Sequence, residues 1–177
     1  MPIELLLVRH ADAGDPAAYP GPDEARPLSA KGRRQAERLG VFLADHGVQP
    51  DIIISSPKAR AEQTARILAE ALGMSVVVDE RLASGFGTAE LLELLAAHDD
   101  PRRPMLVGHD PDFSDLASTL CGADLELKKG ALARIDFDGP PVAGSAQDPI
   151  PPRRTLRTGS GPGSVLPRAR RCIVTCG

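Results

Sequence analysis

Five short apolar runs, each too brief for a helix and the first four each followed by a stretch of helical periodicity, constrain this chain more than any other feature. They are IELLLV (3–8), DIII (51–54), SVVV (75–78), MLVG (105–108) and ALARIDF (131–137). A near-continuous apolar run bounded by polar residues is the pattern of a strand buried on both faces. Between the runs lie helical patterns. Ser29 can cap a helix to about His46, with Ala36, Leu39, Phe42 and Leu43 at helical spacing and Gly47 as its stop. Ser56 and Pro57 read as N-cap and first position of a second helix reaching Leu72. A third runs from Thr88 to His98 with a leucine stripe over 91–95 that reads as core. A fourth starts near Pro111, where Phe113, Leu116, Ala117 and Leu120 fall at i, i+3, i+4 and i+7. Strands alternating with helices predict a three-layer α/β/α sandwich around a mainly parallel sheet, with right-handed crossovers.

The pattern stops after residue 138. Residues 139–177 contain seven Pro, six Gly and six Arg, a composition that predicts a flexible or poorly packed tail beyond a single domain at 1–138. Its one strand-like stretch is CIVTC (172–176), which either completes the sheet or leaves an edge exposed. Its Gly-rich stretch GSGPGS (159–164) lacks the following Lys and helix of a phosphate loop.

Charge divides along the same line. Residues 1–138 carry a net −8 and residues 139–177 a net +5. An acidic body with one Tyr, four Phe and no Trp argues against a nucleic-acid partner, since neither a phosphate-tracking surface nor a stacking platform is available. No apolar run is long enough to span a membrane. Three cysteines, Cys121, Cys172 and Cys176, form no disulfide framework, and the odd number fits a reducing compartment; a cytoplasmic location is expected. Four scattered His and a lone C-x₃-C give no tetrahedral set, so neither a metal nor another cofactor is expected.

The chemistry lies in three segments, RHADA (9–13), SSPKAR (55–60) and GHDP (108–111). Each begins where a predicted strand ends, the side of an open α/β sheet on which ligands bind. Arg9, His10, Arg60 and His109 therefore meet at one rim. Arg binds two oxygens of a phosphoryl group at once, and Arg60, in the first turn of its helix, adds free amides and the positive end of a dipole. One imidazole can attack phosphorus while the other donates to an oxygen. Nearby guanidinium charge is expected to keep His10 neutral, as a nucleophile requires. Taken singly these residues are bland: a lone strand-end His is more often structural, and Arg60 would read as a solvated helix charge. His46 and His98 sit at helix C-termini and complement the dipole. LKK (127–129) is a solvated turn or a basic patch beside the site.

LLVRHADA (6–13), ARPLSAKG (25–32), SSPKARAEQTA (55–65) and LVGHDPDF (106–113) resemble the histidine phosphatase superfamily, with its phosphoglycerate mutase-like fold, and within it the small SixA-type phosphohistidine phosphatases. The resemblance covers about residues 3–138. It implies that His10 becomes phosphorylated while Arg9, Arg60 and His109 bind the phosphate, with Arg26 near the site. Two positions depart from the wider family or leave a choice. Mutases and many sugar phosphatases of the superfamily carry a Glu general acid where this chain has Ser84, in DERLAS (79–84). A sugar alkoxide needs that proton donor and a labile phosphohistidine needs it less. Asp110 stands where the acid phosphatase branch keeps a proton-donating Asp, and it also reads as the N-cap before Pro111. The resemblance thus implies a phosphatase whose partner is a phosphohistidine-bearing protein domain. The alternatives are a broader phosphomonoesterase acting on a small phosphorylated substrate, or a phosphate-binding regulatory module without turnover.

Overall fold

The computed structural model describes residues 2–138 and 171–175. Their elements run, in chain order, β1 (Ile3–Arg9), α1 (Ala30–Asp45), β2 (Ile52–Ser55), α2 (Ala59–Leu72), β3 (Val76–Val78), α3 (Thr88–Ala97), β4 (Pro104–Gly108), α4 (Asp112–Cys121), β5 (Leu132–Phe137) and β6 (Arg171–Thr175). Single 3₁₀ turns lie at Pro16–Ala18, Asp23–Ala25 and Glu80–Leu82. The strands form one sheet in the order β3-β2-β4-β1-β5-β6. The first four are mutually parallel, and β5 and β6 add on antiparallel.

Period-two alternation along the strands feeds two separate cores. Leu6, Val8, Ile53, Met105 and Val107 point to one face and pack on Leu39 and Leu43 of α1 and Ala65 and Leu68 of α2. Leu5, Leu7, Ile54, Leu106 and Ile135 point to the other and pack on Leu91 and Leu94 of α3 and Phe113 and Leu116 of α4. This is the expected three-layer sandwich with a mainly parallel sheet.

Register positions the functional rim. Arg9 lies opposite Gly108 across β1 and β4, and Ser55 opposite Val107 across β2 and β4. The backbone N–H of His10 donates to Gly108 O at 3.0 Å, and that of Ser56 to Val107 O at 3.0 Å. Residues 10, 56 and 109 thus leave three neighbouring strands at one level.

Three local expectations are corrected. α2 begins at Ala59, behind a Lys58 cap that makes no side-chain bond; the Ser56 hydroxyl accepts the Lys58 amide at 3.3 Å and is also held by His109. α4 begins at Asp112 after Pro111, again without a side-chain cap; the Asp110 carboxylate turns to Arg9 and to the Ser114 hydroxyl. The cysteines are not all unpaired. Cys121, at the end of α4, is bonded to Cys172 of β6, with a Cα–Cα separation of 6.3 Å. Sequence spacing could not reveal this, since only the docking of β6 on β5 brings residues 51 apart together. Of the stretch expected to be a tail, 171–175 forms β6, whereas 139–170 and 176–177 lie outside the described residues. Within the described residues no helix is long and apolar enough to cross a membrane.

Candidate active site

His10 follows the last residue of β1 and is 8% exposed. Its Nδ1 lies 2.7 Å from the carbonyl of Ala11. A carbonyl only accepts, so Nδ1 carries the hydrogen and Nε2 keeps its lone pair. Toward that lone pair comes Nε–H of Arg60, at 3.3 Å. His109, also 8% exposed, places its ring centroid 5.2 Å from that of His10, with Nε2 at 2.7 Å from Ser56 Oγ.

Both imidazoles are held neutral. The pKa of His10 is lowered to about 4, first by burial and then by the charges of Arg60, Arg9 and Arg26, against the opposing bond to Ala11. That of His109 is lowered to about 3 by burial, then by His10, Arg60 and Lys58. The expected neutrality of His10 is present, but burial contributes more to it than the guanidinium charges do.

Arg60 stands in the first turn of α2 and is buried. Its Nη1 donates to Asp23 O at 2.7 Å and its Nη2 to Asp23 Oδ2 at 2.9 Å. Arg26 donates through Nε to Asp23 Oδ1 at 2.8 Å and through Nη1 to Ala13 O, also at 2.8 Å. One carboxylate therefore braces two guanidiniums, and both cations hold it well below the usual carboxylate range. Arg9 reaches the site from β1. Its Nη1 donates to Leu127 O at 2.7 Å and pairs with Asp110 at 3.0 Å.

Two buried side-chain nitrogens have no hydrogen-bond partner among the described residues, Nε of Arg9 and Nδ1 of His109. Buried polar atoms are rarely left so. Both belong to the four residues singled out from the sequence, so the arrangement leaves polar nitrogens unmatched where an oxygen-rich anion would engage them.

His10, Arg60 and His109 are thus in direct or near contact, with Arg9 joined through its charge and through Asp110. Arg26 lies close enough to lower the His10 pKa. Sequence reasoning missed Asp23, whose signal was its i, i+3 spacing from Arg26. It also misread Ser56 as a cap, and it did not pair Asp110 with Arg9.

The sheet and its flanking helices have the phosphoglycerate mutase-like α/β/α fold. Residues 5–115 match the histidine phosphatase superfamily (branch 1), and the chain belongs to that family. It is a phosphatase. An uncharacterised protein of Picosynechococcus sp. is 36% identical over 139 residues, covering 73% of this chain and 82% of that one. A solved structure described as a candidate phosphohistidine phosphatase SixA from Agrobacterium tumefaciens superposes with a TM-score of 0.69 at 32% identity, covering 78% of this chain and 93% of that one. A candidate phosphoglycerate mutase GpmB of Yersinia enterocolitica is 27% identical over 190 residues, 78% of this chain and 87% of the relative.

Proposed function

We propose that the chain is a phosphohistidine phosphatase in which His10 accepts the phosphoryl group. The carrying observation is the convergence of a neutral imidazole with its Nε2 lone pair toward Arg60 and two buried nitrogens without a partner among the described residues, Arg9 Nε and His109 Nδ1. An incoming phosphoryl group takes the place of that lone pair's contact with Arg60, whose N–H then serves a phosphoryl oxygen. His10 Nε2 forms a bond to phosphorus as the P–N bond of the substrate breaks, and the departing imidazole of the substrate collects a proton from water. A water molecule then attacks the phosphorylated His10, giving inorganic phosphate and the free ring. Arg9, Arg60 and His109 hold the negative charge that spreads over the equatorial oxygens. Chemistry of this kind needs no cofactor.

The substrate class rests on Ser84, which stands where relatives that cleave sugar phosphates keep a Glu acid, and on the likeness to the SixA structure. A partner of this kind is a protein domain bearing phosphohistidine, and the acidic body makes a nucleic acid a poor alternative. The functional unit we propose is residues 1–138 with β6 completing its sheet. Phosphoenzyme trapping tests the chemistry: a phosphoprotein stable to alkali and labile to acid forms on the wild type and not on His10→Ala. Finding the label retained in His10→Ala removes the proposal.

One observation favours a second reading. Asp110 is free of capping duty, follows His109 directly and lies 3.0 Å from Arg9, where a carboxyl could protonate an alkoxide leaving group. In that case the enzyme is a broader phosphomonoesterase. Phosphoramidate and p-nitrophenyl phosphate offered side by side to wild type and Asp110→Asn separate the two. Loss on the ester alone assigns Asp110 the acid role; equal rates on both substrates leave it structural.

A further inference from the structure

The hydroxyl of Ser56 is wholly buried, and its hydrogen-bonding account can be completed. Two groups face it among the described residues: His109 Nε2 at 2.7 Å and the backbone N–H of Lys58 at 3.3 Å. The amide can only donate, so it takes a lone pair of the oxygen. His109 Nε2 is then the one acceptor left for the hydroxyl hydrogen.

The consequence passes to the imidazole. A neutral ring carries one hydrogen, and with Nε2 accepting from Ser56 that hydrogen sits on Nδ1. Nδ1 is the buried atom that lacks a partner among the described residues. The opposite tautomer leaves two groups unmatched in place of one, the serine hydrogen and the Nδ1 lone pair, and buried mismatches of this sort are avoided. Ser55 does not substitute, since its hydroxyl donates to the carbonyl of Ser56 at 2.9 Å.

We infer that Ser56 is a positioning residue that selects the Nδ1–H tautomer of His109, turning that ring into a dedicated donor to an oxygen of the bound phosphoryl group. The inference rests on the phosphatase reading for its ligand, but not for its geometry. It deepens that reading in one respect. With the second imidazole locked as a donor beside Arg9 and Arg60, the pocket favours tetrahedral oxyanions that present acceptor oxygens on several sides.

The test is a long-range ¹H–¹⁵N correlation spectrum of the imidazoles, recorded for wild type, Ser56→Ala and Ser56→Thr with and without orthovanadate. His109 is assigned by the signal lost in His109→Gln. Wild type shows His109 protonated at Nδ1, Ser56→Ala shows both tautomers and binds vanadate about tenfold more weakly, and Ser56→Thr restores both properties. A wild-type His109 protonated at Nε2 overturns the inference. So does a folded Ser56→Ala whose tautomer and vanadate affinity match wild type. Should Ser56→Ala not fold, the wild-type spectrum and Ser56→Thr still decide. Tautomers are read without turnover, so a failure to trap phosphorylated His10 would sink the catalytic proposal and leave this one standing.

Discussion

The two histidines are charged in an unfolded chain at mildly acidic pH and uncharged in the folded one, and this links the site to stability. The folded-state pKa of His10 is about 4 and that of His109 about 3, against 6.5 when unperturbed. Below pH 6.5 the unfolded chain therefore binds protons that the native state refuses, so stability declines as pH falls from 6.5 toward 4. For His10 alone the loss is on the order of 3 kcal/mol by pH 4. Urea titrations across that window should show the slope, and His10→Ala should flatten part of it. By the same token, the ring of His10 should titrate by NMR near pH 4, far from 6.5. Asp23 carries a second residue-level prediction. It occupies the Nη1 and Nη2 side of Arg60 and leaves Nε–H facing His10. Asp23→Ala removes the Nη2 contact and leaves only the main-chain oxygen on Nη1, so the guanidinium is held less firmly and kcat should fall about tenfold, with Asp23→Asn retaining most activity. A faster Asp23→Ala enzyme would identify the carboxylate as a competitor for the phosphate instead.

Elements hold these side chains in place through contacts that tolerate little change. α1 is docked onto the loop after β1: Ser29 accepts from the N–H of Gly32 at 3.0 Å and donates to Asp12 Oδ2 at 2.7 Å. The approach is so close that a Cβ on Gly32 would lie 1.9 Å from the Asp12 carbonyl oxygen. Backbone cannot yield there as a flexible side chain could. Gly32→Ala should thus cost about 1–3 kcal/mol or more in chemical denaturation and weaken phosphate binding, because the displaced loop begins at His10. A similar constraint lies under the second imidazole, where a Cβ on Gly108 would meet the Phe113 ring at 2.5 Å. The apolar runs and helical periods were readable because each reports burial local to its own element. Helix starts were less so: Ser56 and Asp110 have the right chemistry for caps, but each is also held by a residue of another element, His109 and Arg9, and each helix starts beyond it.

At the scale of the whole molecule, β6 closes one edge of the sheet and is fastened to α4 by the Cys121–Cys172 bond. A cross-link spanning 51 residues restricts the unfolded chain and is worth about 2–4 kcal/mol. Reduction should lower the denaturation midpoint accordingly while sparing the phosphatase rate, since Cys121 lies at the opposite end of α4 from His109. Thiol titration that finds all three cysteines free in the native protein would remove this prediction and strengthen the case for a reducing compartment.

The sequence by itself determined the layered α/β architecture and the identity of the four residues proposed for phosphoryl chemistry. Strand ends and helix starts are local events, and Arg9, His10, Arg60 and His109 sit at three of them. It could not determine which atom of each side chain meets which. That depended on the register of β1, β2 and β4, which brings His10, Ser56 and His109 to one level, and on a 3₁₀ turn that carries Asp23 across to Arg60. Tautomers, braced guanidiniums and a disulfide are relations between distant residues, and only the folded chain places those residues within bonding distance.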